Sequence, residues 1–216
     1  MASHRVALAT AVVFLVVALS LLIFMGFEGG KDAAQAIDDE VRSGFQSAQW
    51  APIVWLAELL GIIGAWYVTW PLRIVVTGFL ALRRRWEALL AWVVAILVYE
   101  PLIGVLKTVY ERPRPTLATG ITGFSFPSGH AAVGAAVAIG LVIVLVPAGP
   151  NRRYYEVLAG WFALLMALSR VYLDVHWLTD VVAGVALGAA VMIGVPALVH
   201  EVGDRLHLRR GAADPA

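Results

Sequence analysis

Long apolar runs, each closed by a charged cluster or a Pro/Gly turn, set the pattern of this chain. Val6 to Met25 is apolar without a break after Arg5, and about 20 such residues match a membrane-spanning helix. A signal peptide would show a shorter apolar region, about 7 to 15 residues, ending in a small-residue cleavage site. Gly26-Phe-Glu-Gly-Gly30 is no such site, so the run reads as a retained helix. Residues 28–49 are polar and mostly acidic, with Ala34, Ile37, Val41 and Phe45 at helical spacing. Two readings stand there: an amphipathic helix on the outer surface, or a solvated outer connector.

From Trp50 to Leu82 the chain is apolar again, interrupted by Glu58, Pro71 and Arg73. The pattern predicts an approach segment from Trp50 and one kinked or tilted helix over about 57–82. Arg73 lies inside that helix, where an arginine pairs with an acid or faces water; Glu58 and Glu100 are the candidate partners. Further apolar runs predict helices over about 88–110, 127–146, 156–173 and 178–199. A Pro-, Gly- and Thr-rich loop fills 111–126, and a short basic turn surrounds Arg152 and Arg153. The expected fold is all-α, a polytopic membrane bundle of six transmembrane helices forming a single domain over 1–216, with 201–216 as a tail.

Charge orients this bundle. Basic residues in short loops mark the cytoplasmic side. With six spans, Arg5, Arg83 to Arg85, Arg152, Arg153 and the tail residues Arg205, Arg209 and Arg210 share one side, and the acidic 28–49 connector lies on the other. Both termini are therefore expected in the cytoplasm, with the 107–126 loop outside. Trp50 and Trp177 are expected in the outer interfacial layer, and His4, His200 and His207 solvated near the inner side. Composition agrees: 61% of residues are hydrophobic, 14% are charged and the mean hydropathy is +0.82, whereas soluble domains carry about 25% charged residues. A net charge of +1 argues against nucleic acid as a partner. The absence of cysteine excludes disulfides, thiolate catalysis and zinc–thiolate sites.

The candidate chemistry lies between 107 and 180. Lys107 and Arg114 flank the start of the outer loop with Arg112 between them, Pro127-Ser128-Gly129-His130 opens a helix, and Ser169-Arg170 is followed by His176 and Asp180. Arginine grips phosphate oxygens through paired N–H bonds and lysine adds a point charge. A helix N-terminus with Ser and Gly offers amides and a hydroxyl to the same anion. His176 and Asp180 stand four apart, so in a helical turn they share a face. Asp180 then holds one imidazole N–H and leaves the other nitrogen to attack phosphorus. His130 is free to protonate the leaving oxygen. Taken singly, these residues have plainer readings. Lys107, Arg112 and Arg114 suit interfacial anchors, a reading kept for Arg112; Arg170 suits a snorkelling helix end. His176 with Asp180 could be a metal pair, but no third ligand has fitting spacing. Asp174 is expected to pair with Arg170 or to face water. Gly184-x3-Gly188 and the small residues after Gly129 read as close packing within the bundle, with a homodimer through such a face as the alternative.

Lys107-x6-Arg114-Pro115, Pro127-Ser128-Gly129-His130 and Ser169-Arg170-x5-His176-x3-Asp180 together resemble the three motifs of the type 2 phosphatidic acid phosphatase superfamily, complete and in order. The resemblance implies a membrane phosphatase that needs no metal or other cofactor and acts on a lipid phosphate or diphosphate among the membrane lipids. It implies His176 as nucleophile, Asp180 as its orienting partner and His130 as general acid. It implies phosphate binding by Lys107, Arg114, Ser128, Gly129 and Arg170. In a bacterium the candidate substrates are undecaprenyl diphosphate, phosphatidylglycerol phosphate and phosphatidate. A lipid phosphotransferase would use the same residues, with an alcohol in place of water. A vanadium haloperoxidase has a similar site but no need of membrane spans. An anionic-lipid transporter has no need of a paired nucleophile and acid.

Overall fold

The structure is a computed structural model that describes residues 2–115 and 122–213, with side chains described from His4 to Arg205 outside that gap. Thr116 to Ile121 of the outer loop, and the side chains of His207, Arg209 and Arg210 in the tail, lie outside the described residues. All regular structure among the described residues is helical: α1 (Ala2–Met25), α2 (Glu28–Ser47), α3 (Ala51–Gly64), α4 (Trp66–Leu82), α5 (Trp86–Tyr110), α6 (Gly129–Leu145), α7 (Arg152–Tyr172) and α8 (Leu178–Ala213). The expected all-α membrane bundle is observed.

Among the described residues, three spans, His4–Met25, Trp86–Tyr110 and Leu178–Arg205, are long and apolar enough to cross a membrane. The pair α3 and α4, bent by 47°, makes a fourth if it is one broken span. The apolar α6 has only 17 residues, about 25 Å at 1.5 Å per residue. Polar residues at both ends of α7, from Arg152 to Glu156 and at Arg170, dilute its apolar character. The expected approach segment is itself helix, opened by Trp50 with Pro52 in the first turn. The break falls at Ala65, whose backbone is extended (φ −69°, ψ 151°), and Pro71 lies inside the intact α4. The physical reason is packing: the bend lets α3 lie against α7 and α6 while α4 turns onto α5.

Helix α8 is the hub, packed against α6, α1, α5, α7 and α2. Its contact with α6 is backbone-close. A methyl group on Gly188 would overlap the Ala132 carbonyl, and one on Gly184 would overlap the carbonyl of Ser128. Small residues at the interface permit this approach, and the glycine face is used inside the chain. One part of the core is bulky, built on Leu80, Trp92, Tyr99, Val144 and Met192. Another, beneath α2, is built on Met25, Ala34, Phe126 and Ala183. Outward faces of α1, α3 and α4 expose Val12, Val13, Trp55, Trp66 and Ile74, as expected of surfaces that face lipid.

Helix α2 decides between the two readings of the 28–49 connector. It is a regular helix that sends Gly30, Ala34 and Asp38 into the protein. It packs on α1, α7 and α8, and thereby roofs the end of the bundle where α6 and α8 begin.

Candidate active site

The site forms where the ends of α5 and α7 meet the starts of α6 and α8, beneath α2. Local sequence explains each entry. Ser128 caps α6, accepting a hydrogen bond from the Ala131 amide at 3.4 Å. Pro127 therefore sits just before the cap and not in the first helical turn. The Ser128 amide donates to the Asp180 carbonyl at 2.9 Å, joining the start of α6 to the start of α8. At α8, Asp180 Oδ2 reaches back to accept from the Trp177 amide at 3.0 Å, the reciprocal half of a capping box.

His176 and Asp180 meet, although His176 lies in the bend just before α8 and not in a shared helical turn. His176 Nδ1 lies 3.2 Å from Asp180 Oδ2, and both residues are buried. His176 Nε2 faces the Arg114 guanidinium, with Nη1 at 3.1 Å. The Nδ1–H tautomer satisfies both contacts, because a guanidinium can only donate. Burial pushes the His176 imidazole down to about 4, against the raising influence of the Asp180 hydrogen bond and charge, while Arg114 and Lys107 lower it further. The ring is neutral at pH 7, with its Nε2 lone pair directed toward cations.

The phosphate-binding candidates converge on the same place. Arg114 donates to the Val175 carbonyl at 2.8 Å and to the Gly123 carbonyl at 3.1 Å, which aims it at His176. Burial lowers its pKa, with Asp180 opposing. Lys107, in the last turn of α5, donates to the Phe124 carbonyl at 2.6 Å and has Arg114 and Asp180 as charged neighbours. Arg170 is buried at the end of α7; its Nε donates to Ser169 Oγ at 3.0 Å and its Nη2 to the Ala57 carbonyl of α3. The charged groups acting on His130, in the first turn of α6, include Arg170, His176 and Arg114. Gly129 opens α6 beside them. Lys107, Arg114, Ser128, Gly129, His130, Arg170, His176 and Asp180 are thus gathered at one end of the bundle. Helix α3 adds a wall that motif spacing does not reveal. A side chain at Gly61 would strike the Arg170 guanidinium at 2.6 Å, and one at Gly64 would come within 3.0 Å of the His130 ring.

Several expectations are corrected. Arg112 is no interfacial anchor. It is 7% exposed and donates to Asp180 Oδ1 at 2.8 Å, Thr179 Oγ1 at 2.6 Å, Asp38 Oδ2 at 2.7 Å and Gln35 Oε1 at 3.0 Å. Its guanidinium lies over the Trp177 ring, 5.3 Å from the centroid. Trp177 is 7% exposed, against 62% for Trp50, and donates to the Pro113 carbonyl at 2.9 Å. It is a packing platform for Arg112 and not an interfacial residue. Asp174, at a left-handed φ of 59°, pairs with Arg42 of α2 at 2.6 Å and not with Arg170. Arg73 takes Glu100 as its partner. His200 lies 2.8 Å from Glu87, and His4 lies 3.0 Å from Glu201. Among the described residues, no three of His, Asp and Glu are grouped as a metal site.

An all-helical membrane bundle with two histidines and a carboxylate in a cation-lined pocket is the arrangement of a membrane-embedded phosphatase. The chain belongs to the PAP2 superfamily, whose description matches residues 86–204, and it is a hydrolase of that family. It is 37% identical over 147 residues to phosphatidylglycerophosphatase B of Bacillus subtilis, covering 62% of this chain and 70% of that protein. It is 31% identical over 139 residues to an undecaprenyl-diphosphatase of Sulfolobus acidocaldarius, covering 62% of this chain and 65% of that one. Among solved structures, it aligns with the crystal structure of the first transmembrane PAP2 type phosphatidylglycerolphosphate phosphatase from Bacillus subtilis. That match has a TM-score of 0.74 at 27% identity, covering 91% of this chain and 96% of the other.

Proposed function

We propose that this protein hydrolyses a lipid phosphate or diphosphate through a phosphohistidine intermediate, without a metal. The observation that carries the reading is the His176 ring, held at Nδ1 by Asp180 and presenting Nε2 beside Arg114. Nε2 attacks phosphorus while the bond to the leaving oxygen breaks, and His130 gives that oxygen a proton. Water then attacks the phosphohistidine. His130 takes its proton, the P–N bond breaks and phosphate leaves. Lys107, Arg114 and Arg170, with the Ser128 hydroxyl and the Gly129 amide, stabilise the equatorial oxygens, the dominant contribution in phosphoryl transfer. The cations supply the charge that a divalent metal would otherwise bring.

The relatives' names point to phosphatidylglycerol phosphate and undecaprenyl diphosphate as substrate classes; phosphatidate shares the same chemistry. In the membrane, six spans with both termini cytoplasmic would set the pocket at the outer leaflet, the bent α3–α4 pair serving as one span. The headgroup meets the cations while the tail stays among lipid-facing helices. The test is phosphate release by the detergent-purified protein, in EDTA, from a polyprenyl diphosphate, phosphatidate and phosphatidylglycerol phosphate. The expected result is release by the wild type and a loss of about a thousand-fold or more in His176→Ala, with unfolding unchanged. Substantial turnover by His176→Ala would overturn the mechanism.

A further inference from the structure

We propose that Asp38, on the roof helix α2, is a positioning residue for the reaction, acting through Arg112 and the first turn of α8 to hold Asp180 against His176. The inference rests on the reading of His176 as nucleophile. Its starting point is that α2 is a polar helix, yet Asp38 is 1% exposed. A buried carboxylate is strongly unfavourable unless its oxygens are satisfied.

Every partner of Asp38 leads to the pocket. Its Oδ1 accepts from the Thr179 amide at 2.9 Å. Thr179 is the second residue of α8, so Asp38 supplies from another helix the cap that α8 lacks at that amide. Its Oδ2 accepts from Thr179 Oγ1 at 2.6 Å and from Arg112 Nη2 at 2.7 Å. Arg112 extends the chain, giving Nη1 to Thr179 Oγ1 at 2.6 Å and to Asp180 Oδ1 at 2.8 Å. Asp180 Oδ2 remains for the Trp177 amide and His176 Nδ1. One guanidinium is thus divided between two carboxylates, each held on one edge, and the far edge of Asp180 meets the imidazole.

This division has a consequence for rate. With Asp38 neutral, the whole Arg112 charge would act on Asp180 and compete with His176 Nδ1–H for it. The imidazole would lose its preferred orientation, and Nε2 its aim. Lys107, Arg114 and Arg170 are held instead by the Phe124, Val175 and Ala57 carbonyls, so phosphate binding is left alone. A change at Asp38 therefore acts on kcat and not on KM.

The test compares steady-state phosphate release by the full-length protein and by Asp38→Asn, Asp38→Glu, Arg112→Gln, Asp38→Asn/Arg112→Gln, Gln35→Ala and His176→Ala. The same lipid phosphate is used throughout, with thermal unfolding recorded for each. Asp38→Asn keeps the Oδ1 acceptor for the Thr179 amide, removes the charge and sets a donor in place of the oxygen that accepts from Arg112 and Thr179 Oγ1. It is expected to lower kcat about 10- to 100-fold, the range typical of outer residues that orient a reacting group, with KM within about two-fold. Asp38→Glu should recover part of that loss. The double variant should be no slower than Arg112→Gln alone, because the two residues act in one chain. Gln35→Ala removes a single bond to Arg112, so kcat should fall about three-fold; it serves as the second probe should Asp38→Asn fold poorly. Wild-type kcat in a folded Asp38→Asn variant overturns the proposal. So does a rise in KM at unchanged kcat, or a loss that multiplies with that of Arg112→Gln. Turnover by His176→Ala instead overturns the nucleophile reading, which separates the two failures.

Discussion

Two arginines lie buried in this bundle against carboxylates, and they do opposite things. Arg112, beneath α2, has both terminal nitrogens engaged by four side chains from α2 and the start of α8. Arg73, in the middle of α4, is 2% exposed and pairs with Glu100 of α5 through one nitrogen. Its Nε and Nη2 have no hydrogen-bond partner among the described residues. Its guanidinium instead lies over the rings of Trp70 and Tyr99, at 5.1 and 5.5 Å, an arrangement that favours a desolvated cation. The first arginine converges on reacting groups from three parts of the chain. The second ties two neighbouring helices together. On the proposed reading, buried charge serves orientation at Arg112 and assembly at Arg73, and the partners, not the residue type, distinguish the uses.

That contrast can be broken experimentally. The largest effect expected is on stability, at Arg73. Arg73→Met leaves the partly exposed Glu100 unpaired and should cost about 1 to 3 kcal/mol, read as a lowered unfolding midpoint in detergent, while kcat per folded molecule stays at the wild-type value. Arg73→Met/Glu100→Gln should recover most of the loss, since an apolar replacement of both charges is often near neutral. If Arg73→Met instead lowers kcat without affecting unfolding, the division of roles fails.

The pH profile sharpens the other half. Burial holds His176 at about 4, below the ordinary 6.5, so the acid limb of kcat/KM should lie near pH 4. Because the folded value is depressed, stability from keeping this ring neutral is full above about pH 6.5 and is lost as pH falls toward 4. Asp180 is the influence that raises His176. Loosening it with Asp38→Asn should move the acid limb lower still, and Arg73→Met should leave it in place. The smallest effect concerns the packing beneath both arginines. Gly188→Ala sets a methyl group against the Ala132 carbonyl and should cost about 1 to 3 kcal/mol of stability, with Asp38→Asn and Gly188→Ala additive in their effects because one acts on rate and the other on packing.

The residues brought together in the pocket were legible because their chemistry is written locally. Ser128 precedes a helix as a cap must, His176 and Asp180 are one turn apart, and Lys107 and Arg114 flank the end of one apolar run. Arg112 and Arg114 look alike in the sequence, two basic residues on either side of Pro113. What separates them is Asp38, 74 residues earlier than Arg112, and no local spacing announces that pair. Trp177 misled for a similar reason. A tryptophan beside an apolar run is a reasonable interfacial residue, and only Arg112 and the Pro113 carbonyl explain its burial.

The sequence by itself determined the helical class, the membrane setting, the order of the helices and the constellation of the pocket, because hydrophobic runs, caps and i,i+4 spacing act over short range. The tertiary structure alone decided where the 51–82 segment bends, that α2 roofs the pocket, and which arginine serves Asp180. Those outcomes depend on which helices pack side by side, on the satisfaction of buried charge by distant partners, and on the space that glycine leaves between backbones.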